Sequence, residues 1–441
     1  MRFRAMTIFI AIMLFSILAT GCQNEQKQPV KLKILLNSSE SGYMQFYGGQ
    51  LYEQKFPEAE IEYITFDMLK AIEGDAAQNY IKFIREEKPD VILSSFYSVL
   101  VNEGILLDMN AYIRKNKFDL SLLDPSVMKW LKAPAADGGL YGLAPQFSSS
   151  ALYYNRSLFE KYGVPLPTDE MTPEELIQTA RRFPVKDETG KPLYGFHYGQ
   201  ISSPDFYLNL INPKGSIFDR TGKMTMDTTE WKEKLTPLVD ALREGQLSYL
   251  SPSDDRNNGA YNEQYLFSQG QVAMFIGSSD QLTELSSAPF DWGIVVIPHD
   301  RVDPVGNLYP DLIYSIYRDS PNADEAWKYV EYMNSEEVAK KRSKTTSALL
   351  TRTQFNQERE GVSLAPFFKL DMSPPSSGGA ESAPIHPLFL SQTLYPLINR
   401  ELDQAIQDTQ SIESALSRIQ TEGQVLLDQE WNKSSGLKGG E

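Results

Sequence analysis

The residues that could catalyse a reaction lack the local spacing of known catalytic motifs. The chain of 441 residues has three histidines, His197, His299 and His386, which lie far apart in sequence. No HExxH, GxSxG or glycine-rich phosphate loop occurs. With 58 acidic residues, some pair always suits the two-carboxylate chemistry of a glycoside hydrolase, so such pairs carry little information. The sequence therefore favours a protein that is not an enzyme and has no metal or cofactor, with an extracellular glycoside hydrolase as an alternative.

Cys22 is the only cysteine, and it follows an apolar run. Arg2 and Arg4 precede apolar residues 5–20, and this order of basic end, apolar run and small-residue site is typical of a secretory signal. The run is shorter than the about 20 apolar residues of a membrane span. The stretch LATGC, ending at Cys22, resembles a bacterial lipobox, which implies lipidation of this cysteine. An ordinary signal peptide with an incidental cysteine is the alternative.

Lipidation would use the one thiol of the chain, leaving none for a disulfide, a metal site or a nucleophile. More than one acyl chain, at about 0.8 kcal/mol per buried CH₂, anchors a protein firmly. The formal net charge is −16, and loss of the two signal arginines makes the mature chain more negative. Such a surface repels nucleic acid and anionic lipid, so the sequence predicts a protein that does not bind nucleic acid. Its attachment to the membrane would depend on the lipid and not on the protein surface.

The elements that would position a binding site alternate between strands and helices. Segments 32–36, 61–66 and 90–95 have strand character, and segments 43–56 and 76–87 have helical spacing. This order predicts a parallel sheet covered on both faces, whose ligands bind at the carboxyl ends of the strands. The candidate ligand-binding residues at these ends are Glu40, Ser41, Ser95 and Phe96.

Further along, the chain becomes rich in hydroxyl side chains. Residues 146–150, QFSSS, separate two strand-like runs and predict a crossing between domains that lines a polar cleft. Asn155 and the stretch Thr172-Pro-Glu-Glu175 predict the starts of two helices. Segments 187–191 and 219–223 predict β-turns. A calcium loop is the alternative, but neither segment has the acidic series that such a loop needs.

Three groups of segments resemble one family. They are GGLYGLAPQFSSSALYYNRSLFEKYGVPLPTDEMTPEELIQTARRF, then YLFSQGQVAMFIGSSDQL, then DWGIVVIP followed by NADEAWKYVEYMNSEEVAKK. Their order is similar to that in the family 1 extracellular solute-binding proteins of ABC importers, the group that includes maltose-binding protein. The likeness covers about residues 31–430. It implies an α/β, two-lobe periplasmic-binding-protein-like fold, with hinge-connected lobes and a ligand cleft between them.

The resemblance also implies a division of the chain. Residues 1–21 would be the lipoprotein signal peptide and 22–30 the linker after the lipid anchor. The first lobe would combine 31–145 with 299–342, and the second 150–296 with 346–432. Residues 433–441 would form a flexible tail, and the low-complexity segment 373–384 predicts a mobile loop.

Many sugar-binding members place a tryptophan after the Ala-Met segment, where this chain has Gly277-Ser-Ser-Asp280. Sugar faces stack on aromatic rings, and sugar hydroxyls pair with carboxylates, amides and hydroxyls. Other aromatics would have to stack on a sugar here, although each could instead be a core residue. Phe96, Ser148 and Tyr309 lie where the resemblance places the crossings. The other candidates are Tyr207, Ser278, Asp280 and Asp311; either aspartate could instead be a solvated surface charge.

The resemblance implies a binding component of an importer, held on the extracellular face of a Gram-positive cell membrane. A small solute, with a sugar or oligosaccharide favoured over polyamines and peptides, would be captured by hinge closure and delivered to ABC permease subunits. The protein would act as a monomer. An anchored sensor or adhesion lipoprotein is the alternative within the same fold.

Overall fold

The protein is described from a computed structural model that covers residues 30–37, 39–67, 76–94, 96–198, 204–211, 217–219, 221–248, 263–372 and 389–437. Several features singled out in the sequence lie outside these ranges, namely residues 1–21, Cys22, the predicted linker up to residue 29, Ser95, the segment 373–384, His386 and residues 438–441 of the predicted tail.

The strands of the described residues follow in chain order. They are β1 (Lys31–Leu36), β2 (Glu60–Thr65), β3 (Val91–Leu93), β4 (Gln146–Ser148), β5 (Ser150–Asn155), β6 (Tyr194–His197), β7 (Val272–Ser278), β8 (Trp292–Val296), β9 (Val305–Gly306), β10 (Tyr309–Pro310), β11 (Tyr314–Ile316), β12 (Leu349–Leu350), β13 (Glu358–Arg359), β14 (Val362–Ser363) and β15 (Asp371–Met372).

The α-helices in the same ranges are Glu40–Phe46, Gln50–Lys55, Ala76–Glu87, Tyr97–Asn102, Asn110–Asn116, Pro125–Lys132, Arg156–Tyr162, Pro173–Ala180, Pro204–Ile211, Thr229–Arg243, Glu263–Ser268, Gln281–Leu285, Ala323–Met333, Glu336–Arg342, Tyr395–Ile406 and Ile412–Leu437. Short 3₁₀ turns occur at Leu120–Leu122, Thr353–Phe355 and Ala365–Phe367, and a π-helical turn at Leu390–Leu394. The last helix continues to Leu437, into the segment predicted as a tail. Within the described ranges, every helix is either too short or too polar to span a bilayer.

The first sheet has the strand order β11-β3-β1-β2. Its three parallel strands confirm those predicted near the start of the chain, and in β1 the alternating Leu32, Ile34 and Leu36 are buried. The fourth strand, β11, comes from beyond residue 310 and runs antiparallel to β3. Because Tyr314 is opposite Leu93, β11 begins at the edge where β1 and β3 end.

The second sheet has the strand order β6-β7-β5-β8. β5 runs antiparallel to β7 and β8, and β6 runs parallel to β7. Ser150 at the start of β5 is opposite Ser278, and Ala151 is opposite Val296. The carboxyl ends of β6, β7 and β8 therefore share one edge with the start of β5.

A small sheet of order β10-β4-β12 joins the two large sheets, and we call it the hinge sheet. β4 is antiparallel to both of its neighbours and is followed directly by β5 of the second sheet. β10 lies between β8 of the second sheet and β11 of the first in chain order. Strands of the hinge sheet thus lie where the chain passes between the two large sheets, as the polar stretch at 146–150 predicts.

Most buried apolar side chains of the described residues fall into two clusters, which the second sheet divides. Along β5, Leu152 and Tyr154 pack into one cluster, and Ala151 and Tyr153 pack into the other. This follows from the period of two in a strand, which sends successive side chains to opposite faces. The first cluster also contains Phe367, so the segment after β12 packs against the same face of the second sheet as Tyr153.

Local sequence sets several helix ends. Asn155 Oδ1 accepts a hydrogen bond from Leu158 N at 3.0 Å, which confirms the predicted start of one helix. Thr172 and Glu175 form the predicted capping box. The predicted helix over 43–56, however, is two helices, because Gly48 has φ of 74° and interrupts the α-helical backbone.

The predicted turn at 187–191 is present, with Asp187 Oδ1 accepting from Thr189 N at 2.8 Å and from Lys191 N at 3.0 Å. That carboxylate is therefore used by the turn itself, and the side-chain and backbone hydrogen bonds lower its pKa. Among the described residues, no three His, Cys, Asp or Glu side chains lie where they could hold a metal ion together.

Candidate functional site

Three predicted site residues lie together on the hinge sheet. Tyr309 is opposite Ser148 across the β10–β4 pair, and Asp311 Oδ2 accepts a hydrogen bond from Gln146 Nε2 at 3.3 Å. Phe147 is on the opposite face of β4 and is buried, whereas Tyr309 is an exposed residue, at 55%. This face of the hinge sheet therefore presents an aromatic ring, a hydroxyl and a carboxylate, which are the groups that recognise a sugar.

Arg342 adjoins this group through Gln146 and was not singled out in the sequence. Arg342 is only 2% exposed, and its Nη2 donates a hydrogen bond to Gln146 Oε1. Burial lowers the pKa of Arg342, and burial raises the pKa of Asp311, although hydrogen bonds from Ser148 and Gln146 and the Arg342 charge oppose the latter shift. A buried cation thus bonds the same amide side chain that donates to Asp311.

Hydroxyl groups of three tyrosines meet beneath the first lobe's strand ends. Tyr43 Oη lies 3.0 Å from Tyr314 Oη and 2.5 Å from Tyr329 Oη, and all three residues are fully buried. Burial is the first cause that raises the pKa of each phenol, to about 12 for Tyr314. These neutral hydroxyls connect the helix after β1, the strand β11 and the helix Ala323–Met333.

Glu40, Ser41 and Phe96 lie at the carboxyl edge of the first sheet. Glu40 and Ser41 are exposed in the first turn of the helix that follows β1, with Ser39 as its cap. Phe96 follows β3 and is half-buried, with its ring centroid 5.3 Å from that of Tyr80. Its backbone N–H donates to Ser94 Oγ at 2.9 Å, which fixes the turn at the strand end.

Ser278 and Asp280 lie at the carboxyl edge of the second sheet. Ser278 Oγ donates to the carboxylate of Asp280, and Tyr153 Oη donates to the backbone oxygen of Ser278 at 2.7 Å. Ser278 is opposite Ser150, two residues after Ser148, so this edge adjoins the hinge sheet. The predicted residues of both lobes therefore lie at strand edges that border the hinge sheet.

Arg359 is a second residue that sequence reasoning missed. Its Nη1 donates to the backbone oxygens of Ser279 at 2.9 Å and Ser347 at 2.7 Å. It thereby ties the end of β7 to the segment that precedes β12. No local pattern around Arg359 signals this role, because the contact joins segments about 80 residues apart.

The structure places Tyr207 in the core of the second lobe, which corrects its prediction as a ligand contact. The residue has no exposed surface, and its Oη donates to the backbone oxygen of Ser248 at 2.9 Å. Ring neighbours Phe196 and Tyr198 lie with their centroids 6.3 and 6.1 Å away. Apolar packing accounts for this aromatic residue.

A cavity of about 550 Å³ opens beside Arg342, and we call it the lysine cavity. Its first wall is the end of the helix Glu40–Phe46 and the helix Gln50–Lys55. Its second wall is residues 337–346, including Lys340, Lys341, Lys344, Thr345 and Thr346. Phe46 projects its ring into solvent here and is 64% exposed. In the sequence, the run KKRSK at 340–344 was the available signal for this cavity.

Residues 37–340 match the family model described as bacterial extracellular solute-binding protein. A putative binding protein of Brucella abortus (strain 2308) is 27% identical over 247 residues, which are 53% of this chain and 54% of that protein. An arabinooligosaccharide-binding protein of Halalkalibacterium halodurans is 26% identical over 187 residues, or 42% of this chain and 38% of that protein. The chain thus matches about half or less of the length of these relatives.

Among solved structures, an ABC substrate-binding protein from Listeria monocytogenes, in complex with cycloalternan, superimposes with a TM-score of 0.60. The superposition covers 92% of this chain and 99% of the other, at 20% sequence identity. At this identity the likeness concerns the fold. It confirms the α/β, two-lobe architecture expected from the sequence.

Proposed function

The chain belongs to the bacterial extracellular solute-binding protein family, and we propose that it is the sugar-binding component of an ABC importer. One observation carries this proposal. The strand edges of both lobes border a hinge sheet on which Tyr309, Ser148 and Asp311 lie together. The oligosaccharide-binding relative and the cycloalternan-bound structure support a carbohydrate as the solute. Binding rather than catalysis is the role of this family, so a glycoside hydrolase is not proposed.

The ligand would contact Tyr309 through a sugar face, and Asp311, Ser148 and Ser278 through hydroxyls. Glu40, Ser41 and Phe96 would complete the site from the first lobe, and Asp280 from the second. Ser95, which adjoins Phe96 in the sequence, stays a proposed contact outside the described residues. Since the two halves of the site belong to different lobes, hinge closure would bring them together around the ligand.

A panel of mono- and oligosaccharides, amines and short peptides tests the proposal by thermal denaturation. A ligand that binds only the folded protein stabilises it by about 2.7 kcal/mol at one hundred times its dissociation constant. For lobes of this size, that corresponds to an increase in melting temperature of about 5–10 °C. Stabilisation by an amine or a peptide and by no sugar would contradict the carbohydrate assignment.

Small-angle scattering tests the closure mechanism separately. At saturation with a sugar from the panel, we expect the radius of gyration to fall, because both lobes contact one ligand. An unchanged scattering profile, with binding verified in the same sample by calorimetry, would overturn hinge closure while leaving sugar binding intact.

The proposed importer component is a monomer, held at the outer face of the cell membrane by lipid on Cys22, and it delivers its sugar to permease subunits. Replacing Cys22 with serine removes the acylated sulfur. We expect this variant to leave the membrane fraction or to retain residues 1–21, with unchanged sugar affinity. A membrane-bound variant of mature size would contradict the anchor.

Co-purification with two permease subunits would favour transport over an anchored sensor or adhesion protein.

A further inference from the structure

The lysine cavity concentrates positive charge in a chain whose formal net charge is −16. Four basic side chains line it, three of them exposed lysines, against one carboxylate, Glu337. Lys341 and Lys55 lie 2.8 and 2.9 Å from Glu337 and lower the pKa of its carboxyl to about 2. That carboxylate is therefore already neutralised by two lysines.

Lys340 and Lys344 differ from these paired lysines. In the part of the chain that the structure describes, neither has a carboxylate within 4.0 Å, and both are exposed at the cavity wall. Lysines in the last turn of a helix interact favourably with the helix dipole. This interaction alone could explain why a lysine occurs at position 340. Lys344 lies beyond the last helical residue, Arg342, so the dipole does not account for the whole group.

The rest of the lining suits a carbohydrate. Phe46 offers an exposed ring, and Gln45, Gln50 and Gln54 offer amides. A cavity of about 550 Å³ lies within the range of small-molecule sites, which is about 300–1,000 Å³. Ring faces accept sugar faces, amides pair with hydroxyls, and lysines attract anions.

The lysine cavity is connected to the hinge-sheet site through two arginines. Arg342 lines the cavity and donates to Gln146, the neighbour of Asp311. Arg359 Nη2 donates to the backbone oxygen of Thr346, a cavity residue, at 3.4 Å, and its Nη1 reaches the end of β7. A ligand in the cavity would therefore lie next to residues that contact the hinge sheet and the end of β7.

We propose that the lysine cavity binds the charged unit of an acidic oligosaccharide, with its sugar ring on Phe46 and its carboxylate facing Lys340 and Lys344. This inference rests on the proposed sugar-binding function and specifies the class of sugar. The recognised group is the carboxylate of a uronic acid unit.

The test compares three pairs of disaccharides that differ in their carboxylates: digalacturonate with galactobiose, dimannuronate with mannobiose, and cellobiouronate with cellobiose. Dissociation constants are measured by calorimetry at low and high sodium chloride. We expect the acidic member of at least one pair to bind about tenfold or more tightly than its neutral partner. This preference should shrink at high salt, because partly exposed charges are screened.

The double variant Lys340→Gln, Lys344→Gln should weaken binding of the acidic sugar about tenfold and leave its neutral partner unchanged. Lys132→Gln is the matched control, because Lys132 is also an exposed lysine in the last turn of a helix but lies outside the cavity. If the neutral member of every pair binds as tightly as its acidic partner, the inference is overturned, while the proposed sugar-binding function stands. If none of the six sugars binds, the inference is overturned, and the proposed function is overturned as well only if every sugar of the thermal panel also fails to bind. Equal weakening of both members by the double variant would also overturn the inference.

Discussion

Replacing Tyr207 with alanine is expected to lower the free energy of unfolding by about 3–5 kcal/mol, whereas Tyr309→Ala should change it by less than about 0.5 kcal/mol. Tyr207 is fully buried against other aromatic rings, and its removal leaves a cavity in the second core. Tyr309 is 55% exposed, so its truncation creates no cavity. Thermal and urea denaturation of the unliganded proteins measure the difference, about 10 °C in melting temperature.

Sugar binding should show the opposite order. Tyr309→Ala removes a stacking surface on the hinge sheet and should weaken binding by about 1–3 kcal/mol. Tyr207→Phe is the control for the core position, since it retains the ring and loses only the hydrogen bond to Ser248. We expect it to bind sugar normally. A Tyr309→Ala variant that unfolds easily, or that binds sugar as the unchanged protein does, would contradict the site assignment.

Local elements were predictable because their signals are short-range. The alternation of Leu32, Ile34 and Leu36 marks β1, and the capping box of Thr172 and Glu175 marks a helix start. Neither signal reveals β11, which joins the first sheet from residue 314 and runs against β3. Strand pairing across more than 200 residues depends on the path of the whole chain, and the resemblance to a two-lobe family supplied that path.

The helical spacing over 43–56 misled in one respect. One continuous helix would place Tyr43, Tyr47 and Leu51 on the same face, at spacings of four residues. Gly48 has a positive φ that ends this continuity, and Phe46, at the end of the helix before it, is exposed at the lysine cavity. Glycine tolerates this backbone conformation without steric cost, but the residue type alone does not say that it is adopted.

The site residues at the crossings between the lobes were predictable from the sequence. The residues that reach the site from distant segments were not. Ser148, Tyr309 and Asp311 meet because each belongs to or adjoins a strand of the hinge sheet. Arg342 and Arg359 act through backbone and amide groups in other segments, and a sequence gives no signal for such partners. Tyr207 shows the opposite error. Its aromatic side chain suited a sugar contact, but the residue is buried in the core of the second lobe.

Alkaline unfolding follows from the buried tyrosines and should be the largest solution effect. Burial raises the pKa of Tyr80 and of Tyr314 to about 12, and raises that of Tyr43 and Tyr329 as well. Below pH 10 the phenols are protonated in both folded and unfolded chains, so they do not alter stability. Above pH 10 the unfolded chain loses these protons while the folded protein retains them, and stability falls as pH rises toward 12.

The magnitude decides whether the fold survives. Each tyrosine costs about 1.4 kcal/mol per pH unit over this window, so Tyr80 and Tyr314 together cost about 5 kcal/mol by pH 12. That is comparable with the whole stability of an ordinary domain, about 5–15 kcal/mol. We therefore expect circular dichroism to show cooperative unfolding between pH 10 and 12, with tyrosinate absorbance of the buried rings rising in the same transition.

Two variants separate this cause from general charge repulsion in an acidic protein. Tyr80→Phe removes a buried phenol and keeps the ring that packs against Phe66 and Phe96, so the unfolding midpoint should move to higher pH. Tyr309→Phe removes a phenol that water already reaches, and should leave the midpoint unchanged. Repulsion among carboxylates would give the same midpoint in both variants, because neither changes an acidic residue. Full tyrosinate absorbance in a protein that keeps its helical signal would show that burial does not protect these phenols.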